Sequence, residues 1–234
     1  MSEFVTVKAA DGHELSAYVV KPEGTPKGAL VVVQEIFGVN KHIRSVADGY
    51  AKEGYVAIAP ALFDRIERGV DIDYTPDEMK YAFTELYPKL NVELALLDVA
   101  AAFQHVAGAH KTAVLGFCYG GLMAWLSATR AKALGISPVC TVGYYAGGIG
   151  HFAKEEPTCP VMLHFGAADS HIDKDQIDAV REANPAGKTP EVEVFEYEGA
   201  GHAFNRAPDP HSYHAEAAKL AGERSLAFLK KYIG

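Results

Sequence analysis

The sequence predicts an α/β fold, in which a mostly parallel central sheet carries helices on both faces and an antiparallel hairpin precedes it. Short apolar runs without regular polar alternation recur along the chain, and such runs are typical of strands buried on both faces. Segments with apolar residues at helical spacing separate these runs, as crossovers between parallel strands require. Near the start, two alternating segments flank Asp11-Gly12, which is typical of a hairpin.

The predicted elements follow in chain order. The hairpin strands are Phe4–Val7 and Glu14–Val20, and a Pro/Gly stretch from Pro22 to Gly28 follows them. The buried strands are Ala29–Gln34, Tyr55–Ala59, Thr112–Gly116, Val139–Tyr145 and Val161–Gly166. Val192–Tyr197 is also predicted as a strand, and Glu193 and Glu196 indicate a place nearer the edge of the sheet. The predicted helices are His42–Glu53, Val92–Val106, Leu122–Ala133, Asp175–Ala183 and His214–Tyr232, the first ending at Gly54, a natural C′ residue.

The composition is that of an ordinary globular chain. Hydrophobic residues make up 49% and charged residues 22% of 234 positions, which excludes intrinsic disorder. No repeat, charge run or Gly/Ser/Pro-rich linker divides the sequence, so we expect a single domain over residues 1–234. The net charge of −8 argues against nucleic acid or an anionic membrane as partner. The expected partner is a small-molecule substrate, and the expected assembly is a monomer or a homodimer.

Nothing in the sequence predicts export or membrane insertion. The longest charge-free apolar stretch, Tyr55–Phe63, is interrupted by Pro60 and is far shorter than the ~20 residues that span a bilayer. The first residues lack the basic and apolar regions of a signal peptide. We therefore expect a cytoplasmic protein, and at least one of its 3 cysteines is either free or paired with another molecule.

The segment Gly116-Phe117-Cys118-Tyr119-Gly120-Gly121 lies between a predicted strand and a predicted helix. This is the context of a nucleophile elbow, whose usual G-x-S-x-G pattern has cysteine here in place of serine. Gly116 and Gly120 occupy the flanking positions where a side chain would collide. The helix start leaves the Tyr119 N–H free to bind an oxyanion and favours a thiolate at Cys118. The alternative is a buried cysteine beside a glycine-rich packing turn.

Two further residues have the positions of an acid and a base. Asp169 follows the strand Val161–Gly166, and His202 lies in a glycine-rich loop after Val192–Tyr197. The chain order of nucleophile, acid and histidine is that of α/β-hydrolases. Taken singly, the aspartate could cap a helix and the histidine could be solvated. Their joint occurrence with the elbow predicts Cys118, His202 and Asp169 as a catalytic triad.

Glu35 directly follows the buried strand Ala29–Gln34. A carboxylate that enters an apolar interior is costly unless it is paired. Glu35 therefore either turns outward at the strand end or lies near the thiol, where it can take the thiol proton. The loop after this strand conventionally supplies a second oxyanion donor, which here is the Ile36 N–H.

These segments together resemble the dienelactone hydrolase family, a cysteine branch of the α/β-hydrolase fold. The most specific of them are Gln-Glu-Ile-Phe-Gly-Val-Asn at 34–40, the Cys118 elbow, and Gly-His-Ala-Phe with Arg206 four residues after His202. The resemblance implies a carboxylic ester hydrolase of the carboxymethylenebutenolidase type, which cleaves lactones or activated esters through a thioester acyl-enzyme. Glu35 would hold the thiol in check and accept its proton as substrate binds. No cofactor is expected.

The resemblance also implies a clamp for a substrate carboxylate, in which Arg206 would be one of two arginines. The second is expected near residues 76–87, where this sequence has no arginine and Lys80 is the nearest cation. Lysine cannot reproduce the planar, bidentate fork of a guanidinium. Arg65 and Arg68, on the preceding loop, are the alternative cations.

Other functions compete with lactone hydrolysis. With a weakened clamp, neutral aryl esters or phosphotriesters could enter a pocket lined by aromatic side chains. Tyr87 and Tyr145 are predicted to bind substrate there, and further candidates are Tyr74, Tyr81 and Phe83. The alternative explanation for all five side chains is packing in the core. A second alternative is a redox sensor that uses Cys118 without turnover. No metal site is predicted, because His211-Ser-Tyr-His214 lacks a third ligand at recognisable spacing.

Overall fold

One sheet of eight strands forms the centre of the computed structural model, which describes residues 2–108 and 110–234. The strand order across the sheet is β1-β2-β4-β3-β5-β6-β7-β8. β1 and β2 form an antiparallel hairpin, β2 also pairs antiparallel with β4, and every pair from β4 to β8 is parallel. The strands are Ser2–Lys8 (β1), Glu14–Val20 (β2), Gly28–Val33 (β3), Tyr55–Pro60 (β4), Thr112–Phe117 (β5), Thr141–Tyr144 (β6), Val161–Gly166 (β7) and Val192–Tyr197 (β8). The predicted hairpin and the mostly parallel sheet are confirmed.

The described residues contain seven α-helices. They are Lys41–Lys52 (α1), Pro76–Tyr81 (α2), Val92–Ala107 (α3), Tyr119–Thr129 (α4), Ala131–Leu134 (α5), Lys174–Ala183 (α6) and Ala215–Tyr232 (α7). α3 and α4 pack on each other and on the central strands, α1 packs on β4, and α7 packs on β7. Among the described residues no single helix is long and apolar enough to cross a membrane; only Pro76–Lys89 and Val92–Ala107 taken together, with a 95° bend, have that length and composition.

The predicted elements agree with the structure to within a few residues, with two differences. The predicted helix Leu122–Ala133 is two helices that meet at Arg130, and the first of them starts at Tyr119. Its early start includes Gly120 and Gly121, which are poor helix formers that the packing requires. The segment between β4 and α3 was not predicted as helical, yet it contains α2 and then a π-helix, Ala82–Leu86.

A buried chain of polar side chains ties α7 to the last three strands. The Tyr144 and Ser225 hydroxyls share a hydrogen bond of 2.7 Å, and Nε2 of His164 lies 2.9 Å from Ser225 Oγ. Nδ1 of His164 lies 2.8 Å from the Tyr197 hydroxyl. Burial lowers the pKa of His164 to about 3, so this imidazole is neutral. The Cys118 N–H donates to the Tyr144 carbonyl at 3.0 Å. The hydrogen-bonded side chains that hold Tyr144 therefore also support the turn after β5.

Candidate active site

Cys118 occupies a strained turn between β5 and α4. Its φ of 54° and ψ of −115° lie outside the regions that a residue with a side chain ordinarily adopts. A Cβ added to Gly116 would stand 2.0 Å from the Gly120 carbonyl oxygen, and one added to Gly120 would stand 2.4 Å from the Val33 carbonyl oxygen. The prediction that both glycines are sterically required is confirmed, and α4 meets the ends of β3 and β5 closely enough to form an elbow.

Asp169 and His202 meet across the loops that follow β7 and β8. The two atoms Asp169 Oδ2 and His202 Nδ1 are 2.8 Å apart. Asp169 Oδ1 accepts the backbone N–H groups of His171, at 2.8 Å, and Ile172, at 3.2 Å. The fully buried carboxylate is therefore held on both oxygens, which fixes the orientation of the imidazole.

The charge state of His202 follows from its neighbours. Burial lowers its pKa, but negative charge at Cys118, together with hydrogen bonds to Asp169 and Cys118, outweighs burial and raises the pKa of His202 to about 10. The ring is thus an imidazolium within hydrogen-bonding reach of the sulfur. Cys118, His202 and Asp169 are brought together in the order that the sequence predicts.

Two backbone N–H groups are free beside the elbow. Ile36 follows β3 and Tyr119 opens α4, and β3 and β5 are adjacent parallel strands. Among the described residues, neither N–H donates to a protein acceptor. Both residues lie at the carboxyl edge of the sheet, where the predicted oxyanion donors are required.

Glu35 and Arg206 form a buried ion pair. Arg206 Nη2 and Nε donate to the two carboxylate oxygens of Glu35 at 2.9 Å and 3.1 Å, and Nη1 donates to Asp209 at 3.2 Å. The centre of the guanidinium lies 5.0 Å from the Phe37 ring and 4.6 Å from the Tyr74 ring. Only 1% of the Glu35 side chain and 5% of the Arg206 side chain are exposed. Glu35 is therefore paired inside the protein and does not turn outward.

Comparison with known proteins places this geometry in a family. A sequence model of the dienelactone hydrolase family matches residues 15–233. The chain belongs to the dienelactone hydrolase family. It is 30% identical over 235 residues to a carboxymethylenebutenolidase of Pseudomonas putida, a match that covers 98% of this chain and 96% of that one. It is therefore a hydrolase of the dienelactone hydrolase type, as predicted.

Solved structures agree with this assignment. A crystal structure from Klebsiella pneumoniae, of a protein assigned as a dienelactone hydrolase, matches with a TM-score of 0.84 at 31% identity and 99% coverage of both chains. A dienelactone hydrolase-like promiscuous phosphotriesterase from metagenomic libraries has the same fold, with a TM-score of 0.79 at 18% identity over 100% of this chain and 99% of that one. The predicted α/β-hydrolase fold is confirmed.

The cations expected to clamp a substrate are placed differently from the family-based expectation. Arg206 is held by two carboxylates, so its guanidinium is not free to meet a substrate as the structure stands. Lys80 is exposed on α2. Arg65 is bound to Asp98 and Asp11, and Arg68 donates to the Glu14 carbonyl; these contacts place both arginines against the hairpin side of the sheet. Neither of these two arginines supplies the missing half of the clamp.

The two tyrosines predicted to bind substrate differ in their surroundings. Tyr87 is 46% exposed, and its ring packs edge-on against Tyr119 at 6.3 Å. Burial of its phenol, and to a lesser extent the charge of Cys118, raise the pKa of Tyr87. Tyr145 is instead fully buried, its hydroxyl contacts Asn205, and its ring lies 5.0 Å from the ring of His202. Tyr145 thus supports the imidazole from the interior, whereas Tyr87 lies at the surface beside the nucleophile.

Sequence reasoning missed two residues of the site. His171 is exposed, its ring lies 5.1 Å from that of His202, and Phe83 stacks on its other side at 6.5 Å. Asp209 holds Arg206 from three residues further along the chain. His171 lies two residues after Asp169, and Asp209 lies three residues after Arg206. This closeness in sequence to predicted site residues is the signal that could have identified them. Among the described residues no group of three or more His, Cys, Asp or Glu side chains has the geometry to hold a metal ion.

Replacing Arg206 with alanine is expected to destabilise the fold by about 3–5 kcal/mol, because Glu35 would keep a buried charge without its partner. The measurement is the free energy of unfolding in urea. The double variant Glu35→Gln/Arg206→Met removes both charges and should recover most of that loss. An Arg206→Ala protein that unfolds at the wild-type urea concentration would contradict the pairing.

Proposed function

We propose that this dienelactone hydrolase cleaves lactones or activated esters by transferring the acyl group to Cys118 and then hydrolysing the thioester. The observation that carries the proposal is the position of the His202 ring, whose Nδ1 lies 2.8 Å from Asp169 Oδ2 and which is within hydrogen-bonding reach of the elbow sulfur. In this arrangement the imidazole can hold the thiol proton while the sulfur attacks a carbonyl.

Each group has one role in the proposed reaction. The Ile36 and Tyr119 N–H groups bind the oxyanion that forms as Cys118 attacks, and the loss of one such donor typically costs ~10²–10³ in rate. His202 then protonates the leaving oxygen, and as a neutral base it activates the water that cleaves the thioester. Asp169 keeps the imidazole in the required tautomer throughout.

The nucleophile restricts the class of ester. A thiolate is itself expelled readily from a tetrahedral intermediate, so a thiol nucleophile works best with a good leaving group. Activated esters, enol lactones and aryl esters therefore fit better than peptides or alkyl esters. Tyr87, exposed beside the sulfur, offers an aromatic surface to such a substrate.

Glu35 is proposed as a reserve acceptor for the thiol proton. In its paired form it is bound on both oxygens by Arg206. A substrate that drew the guanidinium away would free this carboxylate to accept the thiol proton. This role stays a prediction, since no hydrogen bond joins Glu35 to Cys118 among the described residues.

A second candidate function is the hydrolysis of neutral aryl esters or phosphotriesters. It is favoured by the occupied guanidinium of Arg206, which leaves the site without a free arginine among the described residues. The dienelactone hydrolase-like promiscuous phosphotriesterase that shares this fold also supports this second function.

Trapping the acyl-enzyme tests the proposal. Wild-type protein mixed with 4-nitrophenyl acetate and quenched in acid during the first turnover should gain the mass of one acetyl group. Peptide mapping should place that group on Cys118, with the buried Cys140 and Cys159 as unmodified internal controls. Turnover without any acylated cysteine would reject the thioester, and no turnover with an oxidised Cys118 would favour a redox sensor. The same experiment with a diethyl aryl phosphate tests the second candidate.

A further inference from the structure

A cavity of about 370 Å³ lies beside His202 in the loops that follow β7 and β8. Histidine is the most frequent side chain around it, and hydroxyl groups supply much of the rest. The lining residues that matter are His171, His202, His211, His214, Ser170 and Tyr213. Nothing in the proposed reaction uses these groups apart from His202.

The cavity is lined by hydrogen-bond donors, one of which is the His202 imidazolium. In the part of the chain that the structure describes, no aspartate, glutamate, lysine or arginine side chain lines it. His214 accepts the Ala217 N–H on Nδ1 at 3.3 Å, so the proton of its neutral ring is on Nε2. A chain of net charge −8 thus has, next to its candidate general base His202, a cavity whose described lining holds no carboxylate.

Two of the histidines are held in place through their backbones. The His171 N–H donates to Asp169 Oδ1 at 2.8 Å, and the His211 N–H donates to Asp209 Oδ1 at 3.1 Å. Each aspartate stands two residues before its histidine, and each is itself part of the site, one on His202 and the other on Arg206. Both imidazoles are exposed, and their side chains form no hydrogen bond with another described residue.

The arginines that could bind an anionic ester are already paired with carboxylates. Arg206 is neutralised by two carboxylates, and Arg65 is bound to Asp98 and Asp11. In the proposed reaction His202 delivers its proton to the leaving oxygen, so the leaving portion of the substrate lies next to His202. His202 also lines the cavity, which therefore extends from the side where that portion departs.

We propose that this cavity is a subsite for an oxyanionic substituent, such as a carboxylate or sulfonate, on the leaving portion of the ester. His171 and His211 donate their ring N–H groups to it, and the Ser170 and Tyr213 hydroxyls complete the donor set. The subsite rests on the proposed function, since it presumes that the ester is cleaved at Cys118. It differs from an arginine clamp because its donors are imidazole N–H groups and hydroxyls instead of a guanidinium.

The test compares two esters with the same acetyl group, 3-acetoxybenzoate and its neutral methyl ester. In the variant His171→Ala/His211→Ala, the ratio of kcat/KM for the anionic ester to that for the neutral ester should fall about tenfold, as expected for lost hydrogen bonds to a charged group. His105→Ala, an exposed histidine on α3 outside the cavity, is the matched control and should leave the ratio unchanged. Because both replaced side chains are exposed, the melting temperature should not change.

A second measurement separates the subsite from the reaction. Binding of 3-hydroxybenzoate, the product, is followed by calorimetry and should weaken by a similar factor in the double variant. Weakened binding without hydrolysis of either ester would reject the proposed function and keep the subsite. An unchanged ratio, or product that binds the variant as well as the wild type, would overturn the subsite. Inorganic phosphate that binds through the two histidines while the ester ratio stays constant would also overturn it, in favour of a site for free anions.

Discussion

The Cys118→Ala protein is expected to lose ester hydrolysis almost completely, with kcat on 4-nitrophenyl acetate lowered by more than about 10⁴-fold. Alanine removes the only atom that can form the acyl intermediate and leaves the oxyanion donors of Ile36 and Tyr119 without an attacking group. The fold should be kept, because alanine is smaller than cysteine and the strained φ of 54° is held by the surrounding backbone. Initial rates and circular dichroism spectra of the two proteins provide the comparison.

The matched control is Cys159→Ala, which removes a buried cysteine that precedes β7 and lies outside the site. Its rate should stay near that of the wild type. Cys118→Ser is a further comparison, because it keeps a nucleophilic atom at the same elbow but presents a hydroxyl, which the imidazole must first deprotonate. A Cys118→Ala protein that hydrolyses the ester at the wild-type rate would show that another residue is the nucleophile.

The Asp169→Asn protein is expected to lose about 10⁴-fold in kcat although its shape is nearly unchanged. An amide can present an N–H where Asp169 Oδ2 now faces His202 Nδ1 at 2.8 Å, and the imidazole would then adopt the wrong tautomer. Asp169 also contributes to the raised pKa of His202, which is about 10 in the wild type. Without that contribution the pKa falls, and the imidazolium beside the sulfur loses its proton at a lower pH.

Two measurements follow this change. The kcat of hydrolysis gives the loss of turnover, and the rate at which iodoacetamide alkylates Cys118 as a function of pH gives the stability of the ion pair. The alkaline limb of the alkylation profile, set by His202, should move to lower pH in Asp169→Asn. Asp173→Asn is the control, because Asp173 lies in the same loop, is exposed and makes no side-chain cap to α6. Equal pH profiles for wild type and Asp169→Asn would exclude the assigned role of the carboxylate.

The sequence predicted the buried strands and the elbow, because each of these depends on residues that are close together in the chain. Buried parallel strands appear as short apolar runs, and the elbow is visible because glycine is required on both sides of Cys118. The order of Cys118, Asp169 and His202 along the chain also agreed with their meeting in space. Parallel strands present all their carboxyl ends at one edge, so loop position alone indicated where the three residues converge.

The remaining features depend on contacts between distant residues, which no local pattern encodes. Glu35 and Arg206 are 171 positions apart, and their pairing is decided by the packing of two loops against Phe37 and Tyr74. The π-helix Ala82–Leu86 has no distinctive composition, and its side chains divide between the buried Ala82 and Leu86 and the exposed Phe83. The histidine cavity likewise combines two loops whose separate sequences look like solvated turns.

The hydrogen-bonded support of the elbow has a consequence for the order in which the chain is made. The turn at Cys118 is bonded to Tyr144, whose hydroxyl reaches Ser225 on α7, and the imidazole beside the sulfur is His202. All of these partners leave the ribosome after Cys118. In the proposed mechanism a nascent or partly folded chain therefore carries an ordinary, slow thiol, and the reactive form arises only when the last helix has docked. The alkylation rate of Cys118 is thus also a measure of the fraction of native protein in a sample.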